Sequence, residues 1–441
     1  MKKFLKIFAV GRALMLALTA CGGKTALDEQ TAKQLAEKHT QLMVAGDFEA
    51  VLADCSDAVK KQIDARALKS AMEQTVALAG EYENIHSVEY SQQNGYATVR
   101  VTAYYTNSGI VFSFTYSPDG VTEGLYLNVT NRDIKTQLTE TDLFYEEEIT
   151  VGEYDVKGIV TLPKNKEGYP VAVLVQGSGA SDYDETIGNN KPFRELAHSL
   201  AENGIATVRI NKRFFQYPDL AAEKAATLTI YDEYMDDVYA AIDYARENIS
   251  KTVFVIGHSQ GGMSAPKIMQ DKNLAGAVMM AGTIRGLEDV IYDQNMAALE
   301  KMNLSEREKQ ELVQQVMDGV QQVKNLTADN QTAPFGMPAS YWLSMKELNA
   351  ENILKNTDKP VLVLQGMRDF QVYYDKDYEY MKSVLKDRNN IYFTAYPGLN
   401  HLFMPQALPG VTDITEYAPE NHIDRRITED IAKFITDNSV F

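Results

Sequence analysis

A serine held between glycines directly after an apolar run is the feature that most constrains the fold of this chain. The pentapeptide Gly-His-Ser-Gln-Gly at 257–261 follows the apolar run Val253–Ile256 and precedes a segment with helical character. A serine hydroxyl is a weak nucleophile unless a sharp strand-to-helix turn holds it exposed beside a base, and flanking side chains other than glycine collide in such a turn. The pattern predicts a nucleophile elbow carrying Ser259. The alternative is a glycine-rich turn with an incidental serine.

Two later strand-like runs supply candidates for the acid and the base that such a serine needs. The run Val361–Leu364 leads into Asp369, and the run Ile391–Tyr396 leads into His401. Side chains just past the carboxyl ends of parallel strands meet at one edge of a sheet. We therefore predict Asp369 as the acid and His401 as the base.

Other residues compete for both roles. Asp369 can instead cap a turn, in which case Asp375 or Asp377 is the acid. His422 is the remaining histidine beyond the elbow, and it lies in a polar stretch before the last helix rather than after a strand.

A third apolar run leads into a glycine-rich loop that is suited to binding the negatively charged oxygen of a tetrahedral intermediate. The run is Val171–Val175, and Gly-Ser-Gly follows at 177–179. In an elbow of this kind one donor is the N–H after the nucleophile, here Gln260. The second donor is expected from the loop, at Ser178 or alternatively at Gly179. A dinucleotide-binding loop is disfavoured because Asp182 stands where its third glycine belongs.

From Leu143 onward, strand-like runs alternate with helical segments, which predicts an α/β domain over 143–441 with a mostly parallel sheet of about eight strands and flanking helices. A long insertion at about 284–355 separates the sixth and seventh strands and is expected to form a helical cap. Its aromatic residues, including Trp342, either form a wall of the substrate pocket or fill the core of the cap.

Residues 28–130 have a different pattern and predict a small α+β domain, with helical segments at 31–45 and 67–80 before four strand-like runs. His39 and His86 stand alone there and are expected to be surface or packing residues.

The first 21 residues have the form of a lipoprotein signal peptide. A basic start precedes an apolar segment, and Leu-Thr-Ala-Cys ends at Cys21. This predicts export to the bacterial cell envelope, with a lipid anchor on Cys21 in the outer leaflet of the membrane. Cys55 is then the remaining cysteine, so no intramolecular disulfide is expected.

The loop sequence from Gly177 to Leu200 resembles a bacterial carboxylesterase branch of the α/β-hydrolases that is often described as serine-aminopeptidase-like. The 28–130 segment resembles small nuclear-transport-factor-like domains of unknown function. Phe214–Phe215 departs from the superfamily, where a glycine-containing turn is common. Further similar features are Lys212-Arg213, Asp236-Asp237, Arg285 and Gln294.

The resemblance implies the α/β-hydrolase fold and cleavage of small-molecule carboxylic esters with small or medium acyl groups. It assigns Ser259, Asp369 and His401 as the catalytic triad. Aminopeptidase or acyltransferase activity of the same fold, or a non-catalytic envelope-binding lipoprotein, are the alternatives.

The net charge of −18 argues against nucleic-acid partners, because phosphates would be repelled. Metal-binding and phosphate-binding signatures such as His-Glu-x-x-His or a lysine P-loop are missing from the sequence, so we expect no metal and no organic cofactor. The oligomeric state is left open.

Overall fold

The computed structural model describes residues 26–61, 63–93, 95–106, 108–130, 138–164, 166–302, 304–327 and 334–439. The predicted signal peptide and its Cys21 lie outside these residues. The chain divides into two units, of which the first holds the described residues up to 130 together with 304–315 and 417–419. The second unit holds the other described residues.

The first unit is an antiparallel sheet that packs one face on helices. Asp28 caps the first helix by accepting a hydrogen bond from the Thr31 amide at 3.0 Å, and Gly46 ends it with φ of 80°. Buried and half-buried residues alternate along the second strand, as expected for a sheet with one buried face. The elements are α1 (Glu29–Ala45), α2 (Phe48–Ala53), α3 (Asp57–Lys60), α4 (Ala65–Ala79), β1 (Tyr82–Gln93), β2 (Tyr96–Tyr105), β3 (Gly109–Tyr116) and β4 (Thr122–Thr130), with the strands paired in chain order.

The second unit contains an eight-stranded sheet, which confirms the predicted fold class. In this sheet the pairs β5–β6 and β6–β8 are antiparallel, and the other neighbouring strands run parallel to each other. The strands are β5 (Phe144–Val151), β6 (Val156–Pro163), β7 (Val171–Val175), β8 (Ala206–Ile210), β9 (Val253–His258), β10 (Gly276–Met280), β11 (Val361–Gly366) and β12 (Ile391–Tyr396), in the spatial order β12-β11-β10-β9-β7-β8-β6-β5.

Helices cover both faces of this sheet. Every residue of β7, β9, β10 and β11 is buried, which explains why these strands appear in the sequence as continuous apolar runs. The helices after β4 are α5 (Pro192–Glu202), α6 (Arg213–Gln216), α7 (Pro218–Lys224), α8 (Asp236–Asn248), α9 (Gln260–Asp271), α10 (Leu287–Lys301), α11 (Glu306–Lys324), α12 (Ala339–Lys346), α13 (Ala350–Asn356), α14 (Glu379–Val384) and α15 (Arg425–Asp437), with π-helical turns at Tyr231–Met235 and Tyr374–Tyr378. The residues of α11 up to 315 are grouped with the first unit.

Helices α10 to α13 make up the insertion between β10 and β11. Trp342 is 1% exposed, packs with Val323 and Leu326, and donates its indole N–H to the Pro334 carbonyl at 3.0 Å. Of the two roles left open for Trp342, the structure therefore favours the core of the insertion. Within the described part of the chain, no helix has both the length and the apolar character needed to cross a membrane.

Candidate active site

The predicted elbow is formed by the junction of β9 and α9. Ser259 is partly exposed and has φ of 54° and ψ of −115°, a backbone conformation that L-residues rarely adopt. A Cβ atom on Gly257 would lie 2.1 Å from the Gly261 carbonyl oxygen, and one on Gly261 would lie 2.2 Å from the Val175 oxygen. Both glycines are therefore required by the close approach of backbone to backbone at this turn.

The structure brings the predicted acid and base into direct contact. His401 Nδ1 lies 2.7 Å from Asp369 Oδ2, and both side chains are almost fully buried. Asp369 Oδ1 accepts the amides of Gln371 and Val372 at 2.7 and 2.9 Å. Gln365 donates to Oδ2 at 3.0 Å. These donors stabilise the carboxylate and orient it toward His401 Nδ1, which leaves the other ring nitrogen, Nε2, outside this contact.

His401 lies beside the elbow. Its ring centroid is 4.6 Å from that of His258, the residue immediately before Ser259. His258 Nε2 is also 2.9 Å from the His401 carbonyl oxygen. The base loop after β12 and the strand that carries the nucleophile are therefore packed against each other.

The competing candidates are engaged elsewhere. Asp377 is bound by Arg285 at 3.1 Å and by the Thr283 hydroxyl at 2.8 Å, and Asp375 is exposed. The side chain of His422 is 74% exposed and is paired with Glu195 at 2.9 Å. None of these contacts involves the pair of Asp369 and His401.

The predicted oxyanion donors flank the nucleophile. Gln260 is the first residue of α9, and the first amides of a helix have no intrahelical acceptor. A Cβ on Gly177 would lie 3.1 Å from Ser259 Cβ and 3.6 Å from Ser259 Oγ, so the loop that carries Ser178 begins beside Ser259. The amide of Gly179 points to Glu233 Oε1 at 3.4 Å, which favours Ser178 of the two loop candidates.

A buried polar network that the sequence analysis missed supports the oxyanion loop. Lys212, which is 1% exposed, donates to the Gly177 carbonyl at 2.5 Å and pairs with Glu233 Oε1 at 3.3 Å. Tyr341 of α12 donates to Glu233 Oε2 at 2.9 Å and accepts from the Gln260 side chain at 2.6 Å. The network thus joins the insertion, the oxyanion loop and the residue after the nucleophile.

A second missed pair lies on the other side of the elbow. Glu185 Oε1 accepts the Gly177 amide at 2.6 Å and lies 3.0 Å from His258 Nδ1. Glu185 and His258 are 5% and 4% exposed. The two residues are 73 positions apart, so no local sequence pattern indicated their contact. The available hint was that His258 lies in the elbow pentapeptide and Glu185 in the loop sequence after Gly177, two segments that the sequence had already singled out.

Arg285 and Gln294, two residues of the sequence resemblance, hold the loop that carries the acid. Arg285 bridges Asp377 and Asp293 at 3.1 and 2.7 Å. Gln294 donates to the Gln371 carbonyl at 2.8 Å. The start of the insertion is thereby fastened to the segment directly after Asp369.

Another feature of the resemblance, Arg213, makes two hydrogen bonds to Asp237 at 2.6 and 2.8 Å. Among the described residues, no group of three or more histidine, cysteine or acidic side chains could hold a metal ion.

Two family models match the chain. Residues 188–405 match the family described as "Serine aminopeptidase, S33", and residues 36–125 match a family described as a protein of unknown function (DUF3887). The chain is also similar to esterase EstD of Thermotoga maritima. The two are 30% identical over 404 residues, which cover 90% of this chain and 93% of the relative.

Solved structures with similar folds include two further esterases. Esterase Pf2001 of Pyrococcus furiosus is 18% identical with a TM-score of 0.42, and the match covers 70% of this chain and 97% of that one. Est1E of Butyrivibrio proteoclasticus is 16% identical with a TM-score of 0.40, and the match covers 66% and 98%.

Proposed function

Because the chain belongs to the α/β-hydrolase family that includes esterase EstD, we propose that it hydrolyses carboxylic esters through an acyl-enzyme formed on Ser259. The observation that carries this proposal is the buried contact of 2.7 Å between His401 Nδ1 and Asp369, in a base loop that packs beside the strained Ser259. The acyl group is expected to be small or medium in size.

In the proposed reaction, His401 Nε2 takes the proton of Ser259 as Oγ attacks the ester carbonyl. Asp369 stabilises the imidazolium that forms, and the amides of Gln260 and Ser178 bind the oxyanion. His401 then protonates the departing alcohol, and water attacks the acyl-enzyme to release the acid. The neutral imidazole of His401 is the form that can act as the base.

A panel of p-nitrophenyl esters of increasing acyl length, measured beside aminoacyl anilides, tests the proposal. We expect ester turnover with a preference for short and medium acyl groups, and no comparable turnover of the anilides. Anilide cleavage that exceeds ester cleavage contradicts the assignment and indicates an aminopeptidase.

The Ser259→Ala variant tests the nucleophile. Loss of Oγ removes the atom that forms the acyl-enzyme, so we expect turnover to fall by a factor on the order of a million and labelling by a fluorophosphonate to disappear. Unchanged hydrolysis by a folded variant excludes Ser259 from the reaction.

We also propose that the chain is exported and lipid-anchored through Cys21, on the strength of the Leu-Thr-Ala-Cys sequence and the segment before it. In a bacterial host, a labelled fatty acid should be incorporated into the wild-type chain but not into Cys21→Ala. Equal incorporation into both proteins is incompatible with this anchor.

A further inference from the structure

We propose that Glu185 and His258 form a buried pair that retains a proton and positions the oxyanion loop and the base loop around Ser259. The proposal rests on the proposed function, since it concerns the geometry of the same site. The two residues are positioning residues, because their contacts are with protein loops.

The hydrogen-bond pattern around His258 requires a retained proton. Both ring nitrogens face acceptors, Nδ1 toward the Glu185 carboxylate at 3.0 Å and Nε2 toward the His401 carbonyl at 2.9 Å. A neutral imidazole has one N–H, so it satisfies one acceptor and turns a lone pair toward the other. Both contacts become hydrogen bonds when His258 is an imidazolium.

The surroundings favour retention of this proton. Burial lowers the pKa of His258, but the nearby Glu185 charge and hydrogen bond, the bond to the His401 carbonyl and the Asp369 charge raise it, and the net shift is upward. The ionisable groups that face the pair are the Asp369 and His401 side chains and, through the Gly177 carbonyl, the Lys212 ammonium. A buried carboxylate without a cationic partner is strongly unfavourable, so each member of the pair stabilises the other.

The pair joins the two loops whose relative position decides catalysis. Glu185 Oε1 holds the Gly177 amide at 2.6 Å, one residue before the oxyanion donor Ser178. His258 holds the backbone carbonyl of the base His401 and is itself adjacent to Ser259. Loss of the proton breaks one of the two hydrogen bonds of His258 and loosens the connection.

Release of the proton from the pair should lower kcat as the pH rises. The pKa of His258 is raised above its ordinary value, so both tethers are present below the raised pKa and one is lost as the pH rises through it. We therefore expect kcat to fall at high pH as the pair releases its proton. This fall distinguishes a positioning pair from an inert buried contact.

The Glu185→Gln variant tests the pair, because glutamine keeps the shape and removes the charge. We expect kcat to fall by roughly ten- to hundredfold, as for a small misplacement of catalytic groups, with KM little changed. The fall at high pH should move to lower pH, since burial then dominates the ionisation of His258. A kcat and a pH profile equal to those of the wild type overturn the proposal.

Two substitutions of His258 test its two hydrogen bonds separately, and they also test the pair if Glu185→Gln does not fold. The amide of His258→Gln can replace the Nε2 donor to the His401 carbonyl, whereas the amide of His258→Asn can replace the Nδ1 donor to Glu185. Neither amide side chain titrates, so we expect both variants to lose the fall at high pH, with higher kcat in the glutamine variant. Retention of that fall in both variants contradicts the role of the pair.

Asp184→Asn is the matched control. Asp184 is the adjacent residue in the chain, equally buried, and it pairs with Arg209 rather than with a catalytic loop. We expect this variant to lose stability but to keep the wild-type kcat and pH profile of its folded fraction. If Glu185→Gln behaves in the same way, its role is structural and the proposal is wrong.

A measurement that needs no esterase activity distinguishes failure of this inference from failure of the proposed function. The ¹⁵N signals of His258, assigned by their loss in His258→Asn, should titrate well above the ordinary histidine value of about 6.5. The same signals should titrate lower in Glu185→Gln. Titration of wild-type His258 at or below the ordinary value refutes the pair even if the enzyme cleaves esters.

Discussion

Asp369 has a different environment from the other acids near the carboxyl end of β11. Two backbone amides and the Gln365 side chain fix its carboxylate, and its Oδ2 faces His401. A carboxylate at this position favours the tautomer that carries the proton on Nδ1. In the proposed reaction this leaves Nε2 to act as the base, so the rate should be sensitive to the charge of Asp369.

Replacing Asp369 with asparagine should lower kcat by about 10⁴-fold, because the amide can stabilise the wrong imidazole tautomer and cannot balance the imidazolium. Steady-state kinetics on a p-nitrophenyl ester measure this effect. Asp375→Asn is the control, since Asp375 is exposed and should retain wild-type kinetics. A larger loss in Asp375→Asn than in Asp369→Asn contradicts the assignment of the acid.

The sequence predicted Ser259, Asp369 and His401 because each follows an apolar run, and the ends of buried parallel strands share one edge of the sheet. It did not predict Glu185, Glu233 or His258. Their partners are separated by long stretches of chain, and no local periodicity records which buried acid meets which base. His39 was expected to be a surface or packing residue, and it is a packing residue, buried between Tyr116 and Asp54, each at 3.0 Å. The sequence did not predict these two partners.

At the scale of elements, α12 of the insertion takes part in the site through one hydroxyl group. Tyr341 is 1% exposed, and its hydroxyl connects Glu233 with the Gln260 side chain. Glu233 in turn contacts Lys212 and the Gly179 amide. The insertion is thus connected to the loop that carries the predicted oxyanion donor Ser178.

Tyr341→Phe removes this hydroxyl with little change of shape. Two buried polar groups lose a partner, so we expect a loss of about 1–3 kcal/mol in the free energy of unfolding. We also expect a fall in kcat, because the oxyanion loop loses part of its support. Thermal unfolding and ester kinetics measure the two effects.

Tyr380→Phe is the matched control for that substitution, since Tyr380 is 42% exposed and its hydroxyl should contribute little. If Tyr341→Phe keeps both the wild-type stability and the wild-type kcat, the hydrogen bonds of the Tyr341 hydroxyl contribute neither to stability nor to turnover, and the prediction is wrong.

Elements were predicted best where length and periodicity were strong. A large sheet of about eight strands and the helical segments of α1 and α4 were expected from their patterns, whereas α2 and α3, of six and four residues, were not. Helices this short complete less than two turns, so they show no apolar periodicity, and their formation depends on capping by Asp47 and Ser56 and on packing.

At the scale of the whole molecule, the folding of the first unit can be followed through the reactivity of one buried thiol, that of Cys55. Cys55 is 3% exposed and its thiol donates to the Val51 carbonyl at 3.4 Å. Burial raises the pKa of Cys55 to about 11. The reactive thiolate is therefore scarce at pH 8, and reagents have little access to it.

We expect alkylation of Cys55 at pH 8 to be at least on the order of a hundredfold slower in the folded protein than in denaturant. A Cys21→Ser background confines the label to this position, and Cys55→Ala in that background should take up none. Mass spectrometry of the labelled chain measures the rate. Equal rates in the folded and denatured protein contradict the burial of this thiol.

The backbone at Ser259 has a consequence for how sequences of this kind can diverge. A positive φ of 54° is comfortable for glycine and costs other residues on the order of 1–3 kcal/mol. A glycine there would relax the chain and erase the hydroxyl in a single step. If only stability were selected, glycine should therefore replace Ser259 early, and the resulting proteins would lack the hydroxyl group. We expect the serine to be kept only while selection acts on its chemistry.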